Sequence, residues 1–160
     1  MQTIIRRAGP EDSEAIAALV ATLIDYFLAD PADRDSAADF FATITHAAYR
    51  ERLEDPSFIF HLAEVARGGT TTLAGVVGMR ERSHLYHLFV AETYHRQGLA
   101  ARLWHTAREA AEAAGHDGGF TVNSSIYAQP VYERFGFRAT GEVVHQDGIA
   151  FVPMALGPGT

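Results

Sequence analysis

The chain has 160 residues, 48% of them hydrophobic, and a net charge of -7, which suits one compact domain spanning residues 1–160 with a full core and excludes a disordered chain. It has no cysteine, and its 13 basic residues are all arginine, so disulfides, thiolate metal sites, a lysine-bearing phosphate loop and a Schiff-base lysine are excluded, and any group transfer is expected to run directly from donor to acceptor. The acidic balance argues against nucleic acid as a partner; no apolar run approaches the ~20 residues of a membrane span and MQTIIRRAGPED lacks a signal-peptide core, so a cytoplasmic protein with no membrane partner is expected.

The segment TIIRRA, Thr3 to Ala8, reads as a first strand. A helix follows, with Pro10 and acids in its first turn and a helical period through Ile16, Leu19, Val20, Leu23 and Phe27. DPADRDSAADFF interrupts it, Ser36 is placed to cap a second helix, and that helix ends near LEDPS. Phe58 to Val65 is a strand, GGT a turn, and TLAGVVGMRERSHLYHLFV two strands broken near Arg82–Ser83. From about Arg96 to Ala114 the period is helical again. GGFTVN predicts a short strand, YAQPVYERFGF a short helix ended by Gly136, and EVVHQDGIAFVPM a hairpin turning at Asp147–Gly148. The order is β-α-α-β-β-β-α-β-α-β-β.

The helix after HLYHLFV opens with YHRQGLAARLW, Tyr94 to Trp104, which offers no good capping residue. No Asp or Glu occurs between Thr93 and Arg108. A helix start leaves backbone N–H groups unpaired, and with the helix dipole these attract an anion. Gly98 has no Cβ to hold a phosphate away from the backbone, and Arg96 and Arg102 add charge. The same residues also suit a tolerated helix glycine among solvated arginines. The strand running straight into the glycine turn favours a phosphate cradle, though not of the dinucleotide G-x-G-x-x-G kind.

His95-Arg96-Gln97-Gly98-Leu99-Ala100, after a strand ending at Val90, resembles the acetyl-CoA motif of the GNAT N-acetyltransferase superfamily: Gln or Arg, then x-x-Gly-x-Gly/Ala. His95 departs from it at the first position. VNSSIYAQPVYERFGF extends the resemblance through Asn123, Ala128, Tyr132 and Gly136-Phe137, and the element order agrees over nearly the whole chain. The resemblance implies a single α/β (α+β) domain, a twisted, mostly antiparallel mixed sheet flanked by helices. It implies acetyl-CoA as co-substrate, lying where two adjacent strands splay apart. The backbone of Leu88, Phe89 and Val90 would meet the pantetheine and thioester. The segment His95, Arg96, Gln97, Gly98, Leu99 and Ala100 would hold the pyrophosphate, chiefly by the amides from Arg96 onward. Asn123 and Ala128 complete the cofactor-binding set.

Acetyl transfer to an amine of pKa ~10.4 needs a base, donors for a developing oxyanion and an acid for the leaving thiolate. Pro130 belongs in the first turn of its helix, which puts Ala128 and Tyr132 on one face. By its residue type alone Tyr132 also suits packing beside Phe135; the resemblance implies the general acid. Strand alternation places His84, Tyr86, Leu88 and Val90 on one face and Leu85, His87 and Phe89 on the other. The resemblance points to His84 as base, with an unperturbed pKa of ~6.5; a solvent-facing histidine at a strand start is the alternative. His84 and His87 on opposite faces cannot share an ion, and no metal site is expected. Asp30, Asp33, Asp35 and Asp39 cluster between the first two helices, as a solvated loop or as an attraction for a cationic acceptor.

The expected function is acetyl transfer from acetyl-CoA to a primary amine of a small molecule or peptide. A non-catalytic acyl-CoA-binding sensor or regulatory domain is the alternative from another class, and O-acyl transfer is a variant on the same scaffold. A homodimer is compatible with all three.

Overall fold

The computed structural model describes residues 2–158. Strand β1 (Gln2–Arg7) enters a short 3-10 turn at Pro10–Asp12 and then helix α1 (Ser13–Ala21). Arg6 donates to both carboxylate oxygens of Asp12, at 3.0 and 2.8 Å, and Asp12 also accepts from the Gly9 amide at 2.9 Å. These bonds fasten β1 to the helix start, and the guanidinium holds the Asp12 carboxyl below its ordinary range.

The apolar period to Phe27 predicts a longer helix than the one formed. Thr22 Oγ1 donates to the Leu19 carbonyl at 2.6 Å, a local bond that competes with the helical ladder. The chain continues as a 3-10 turn at Ile24–Tyr26, with Leu23 and Ile24 still buried. Ser36 does not cap the next helix, because its hydroxyl donates to Asp33 O at 2.9 Å. The expected second helix is two pieces, α2 (Ala38–Ala42) and α3 (His46–Glu54). Thr45 caps the latter, its Oγ1 accepting from the Ala48 amide at 3.1 Å.

Strands β2 (Phe58–Arg67), β3 (Thr70–Arg80) and β4 (His84–Val90) follow. Next come α4 (Leu99–Ala113), β5 (Phe120–Ser125), α5 (Gln129–Arg134), β6 (Arg138–Ala139), β7 (Val144–Gln146) and β8 (Ile149–Leu156). The two-residue β6, too short to leave a period, is not in the expected order. The eight strands form one sheet, β1-β2-β3-β4-β5-β8-β6, with β7 on β8; every pair is antiparallel except β4 with β5. Ile16, Val20 and Tyr49 pack with Phe60, Leu62 and Val76 on one face of the sheet. Leu103, Trp104 and Ala107 of α4 pack with Val77, Val122 and Phe137 on the other. Among the described residues no helix is long and apolar enough to cross a membrane.

The β7–β8 hairpin turns where expected, with φ of +54° at Asp147 and +77° at Gly148, the paired positive dihedrals that a tight hairpin turn requires. The turn also has a tertiary role. Gly148 O accepts from the Ala29 amide at 2.9 Å, and the Ala150 amide donates to Phe27 O at 3.2 Å. A Cβ at position 148 would lie 2.5 Å from both Ser36 O and Ala37 Cα. Gly148→Ala therefore combines a left-handed φ with a backbone clash. It is expected to lower stability by about 1–3 kcal/mol, read as a drop in the urea midpoint; an unchanged midpoint would contradict this packing.

Candidate active site

Strands β4 and β5 pair only at His84 with Thr121 and Leu85 with Val122. Beyond that point β4 runs on to Val90 and β5 to Ser125 without pairing to each other. Their facing edges leave backbone donors and acceptors for a guest chain. A cleft of about 780 Å³ opens at this splay.

The register of β3 with β4 shifts by one residue. Gly78 faces His87 while Met79 faces Leu85, so Tyr86 is an extra, bulged residue. The bulge corrects the alternation expected from the sequence. Leu85, Leu88 and Val90 pack toward α4, whereas Tyr86 and Phe89 pack toward α1 and α3. His87 joins the latter side, its ring 6.2 Å from Phe60 and 5.5 Å from Tyr49. His87 Nδ1 donates to Tyr86 O at 2.8 Å, which leaves Nε2 to accept from the Tyr49 hydroxyl at 2.9 Å. Burial pushes His87 down to about 3, so it stays neutral with both ring nitrogens occupied. No group of three or more metal-ligating side chains occurs among the described residues.

At the open end of the splay, His95 Nε2 donates to Val90 O at 2.6 Å and ties the connecting loop to the end of β4. The residue that departs from the motif thus shapes the loop. Arg96 has φ +62° and Gly98 φ +78°, with Gln97 between them outside the positive range. Such an alternation turns successive amides toward one concavity. Gly98 is the N-cap of α4; no side chain caps it and no acid occupies the first turn. A Cβ on Gly98 would meet nothing within 4 Å, so this end opens to space. His95, Arg96, Gly98, Leu99 and Ala100 all line the cleft. The Gln97 side chain instead turns back to donate to Thr93 O at 3.2 Å and is not part of the lining.

Leu88, Phe89 and Val90 line the middle of the cleft, with Asn123 and Ala128 across the gap. Ser125 Oγ accepts from the Ala128 amide at 3.1 Å, which sets the start of α5. Tyr132 lines the cleft from α5, its ring edge-on to Phe135 and Phe137 at 6.2 and 5.8 Å. Its hydroxyl has no hydrogen-bond partner among the described residues, and burial raises its pKa, so it remains a protonated donor. His84 lines the same cleft, with Nδ1 2.8 Å from Thr121 Oγ1. Burial first, then the charge of Arg80, lowers the His84 pKa below its ordinary value.

Part of the cleft's lining comes from residues that sequence reasoning did not single out. Tyr26, Phe27 and Phe40 come from the segment after α1, and Arg80 from the end of β3. The Tyr26 ring lies 4.4 Å from that of Tyr127, tilted by 35°, and Tyr127 precedes α5. The hairpin between β3 and β4 carried the signal for Arg80, since closing it sets that residue opposite His84. Asp30, Asp33, Asp35 and Asp39 do not line the cleft, which agrees with their reading as a solvated loop.

The model of the acetyltransferase (GNAT) domain matches residues 28–157. No curated protein matches the chain. Among solved structures, a GCN5-related N-acetyltransferase from Rhodopseudomonas palustris superposes with a TM-score of 0.76 at 20% identity, over 98% of this chain and 96% of the other. The PaiA N-acetyltransferase of Thermoplasma acidophilum, solved with coenzyme A, gives 0.73 at 15% identity, over 98% and 99%. An acyl-CoA N-acyltransferase from Pseudomonas aeruginosa gives 0.61 at 15% identity, over 98% and 100%. These likenesses share the open, mostly antiparallel sheet and its flanking helices, and with the family match over most of its length the chain belongs to the GNAT acetyltransferases.

Proposed function

We propose that the protein transfers the acetyl group of acetyl-CoA directly to a primary amine of a small molecule or peptide. One observation carries this reading. A single cleft joins an uncapped helix start, the unpaired edges of β4 and β5, the unpartnered Tyr132 hydroxyl and the neutral His84. The coenzyme A complex of the PaiA protein supports the choice of donor. Amides of the Arg96 to Ala100 segment hold the pyrophosphate, with Arg96 adding charge. The β4 edge from Leu88 to Val90 aligns the pantetheine, and Ala128 leaves room for it. His84, directly or through a water, takes the proton that the attacking amine loses as its C–N bond forms. Tyr132 gives its proton to the sulfur as the C–S bond breaks. Release of free CoA across a panel of amines, with the acetylated product identified by mass, tests the reading. Acetyl-CoA binding without release from any amine would favour a sensor domain.

The base role has a pH signature. His84 works neutral, and its pKa lies below the ordinary ~6.5. The acidic limb of kcat/KM should therefore fall below pH 6.5 and be complete at neutrality, a lower position than an unperturbed histidine would give. His84→Ala should remove that limb. Its persistence would move the base role to water or to the acceptor's own ionisation.

A further inference from the structure

The cleft's charge is the reverse of the chain's. The sequence has 20 acidic residues against 13 arginines. Yet the charged residues lining the cleft are Arg80, Arg96 and Arg134, with no Asp or Glu among the described lining residues. Glu92 reaches a lining residue only from outside, accepting from the Tyr26 hydroxyl at 2.7 Å. Arg96 belongs to the anion cradle and Arg134 to α5, both at the donor end. Arg80 stands apart from them at the acceptor end. It makes no ion pair among the described residues, and its guanidinium lies 5.8 Å from the Tyr86 ring centre. A second guanidinium, Arg52, lies 5.3 Å from the same ring, with its Nη1 buried and without a partner. Arg52 does not itself line the cleft, so Arg80 is the charged lining residue beside His84.

Register places Arg80 where it can act. Arg80 and His84 are direct cross-strand partners of β3 and β4, so their side chains leave the sheet on one side with Cβ atoms ~5 Å apart. A group held by Arg80 is therefore held beside the candidate base. Beside Arg80 stands the Tyr86 ring, and further along β4 the cleft wall stays aromatic, with Phe27 5.0 Å from Phe89 and Phe40 6.3 Å from Phe27. A cationic or polyamine acceptor would bring like charge into this partly desolvated space. An arginine fork matches a carboxylate, by contrast, in geometry as well as charge.

Building on the acetyl-transfer reading, we propose that the acceptor is an amino acid, an amine bearing a carboxylate on the same carbon and an apolar or aromatic side chain. Arg80 selects it by binding that carboxylate and so delivers the amine to His84. Phe27, Phe40 and Tyr86 receive the side chain. Arg80 is then a specificity residue, and takes no part in moving protons.

The test compares acceptors that differ only in the carboxylate: L-phenylalanine with phenethylamine, and L-leucine with 3-methylbutylamine. With acetyl-CoA as donor, kcat/KM should favour the amino acid by about 10- to 100-fold, the usual range for a charge-assisted bond. Arg80→Gln should bring that ratio near unity while acetyl-CoA affinity by calorimetry is retained, which shows that the variant is folded. Equal or better use of the decarboxylated amines, or a ratio unchanged in Arg80→Gln, would overturn the proposal. If no acceptor releases CoA, the transfer reading fails, and binding decides this proposal alone. N-acetyl-L-phenylalanine and N-acetylphenethylamine are titrated into the CoA-saturated protein. A preference for the carboxylate that Arg80→Gln removes supports the proposal; no preference, or no binding of either compound, overturns it.

Discussion

Gly98→Glu should reduce acetyl-CoA affinity by about 100-fold or more, measured by calorimetry on the folded variant. Two effects add. The substitution puts a carboxylate at the mouth of a helix N-terminus that has no acid in its first turn, so the dipole and the unpaired amides are neutralised before phosphate arrives. Each charge-assisted hydrogen bond lost is worth about 1.5–3 kcal/mol, so losing two gives the stated change. The fold should survive, because a Cβ at this position meets nothing within 4 Å. The φ of +78° still costs a side chain roughly 1 kcal/mol, which predicts a slightly lower melting temperature. Gly98→Ala separates the two effects, since it carries the same backbone cost without the charge. Affinity in Gly98→Glu equal to that in Gly98→Ala would remove the phosphate from this helix start.

Tyr132→Phe should lower turnover by about 100-fold and leave acetyl-CoA affinity within a few-fold of wild type. General acids contribute about 100-fold or more, and the ring that packs on Phe135 and Phe137 is kept. Stability discriminates the roles. The hydroxyl has no partner among the described residues, so replacing it with hydrogen forfeits no internal bond. The melting temperature should hold or rise slightly while turnover collapses. A variant that kept its rate would make Tyr132 a packing residue, and protonation of the thiolate would fall to water.

Some features of this protein were legible locally. The paired positive φ values at Asp147 and Gly148 follow from the Asp-Gly dipeptide, because only such residues enter that region cheaply. The anion-ready start of α4 follows from the lack of capping side chains and acids around Gly98. Ala128 and Tyr132 meet on one cleft wall because helical spacing is set by the backbone. All of these depend on a few consecutive residues, which is the range over which sequence pattern and dihedral preference act. The same range explains the errors at Thr22 and Thr45, where hydroxyl groups bonded to nearby backbone and divided helices that the apolar period alone joined.

Tertiary structure decided the rest. Side-chain direction along β4 depends on a single bulged residue, Tyr86, and a one-residue shift moves every later side chain to the other face. Nothing in HLYHLFV shows that shift, because it arises from pairing with β3. The gap that forms the cleft depends on where β4 and β5 stop pairing, a matter of sheet twist and long-range register. The juxtaposition of Arg80 with His84, the aromatic wall from Phe27 and Phe40, and the lack of acids among the lining residues bring together segments far apart in the chain. The sequence by itself determined a domain whose α4 begins with neither a capping side chain nor an acid, and whose Ala128 and Tyr132 share one cleft wall. Only the folded sheet decided which charges line the cleft, because charge in a cleft is set by which distant residues converge there.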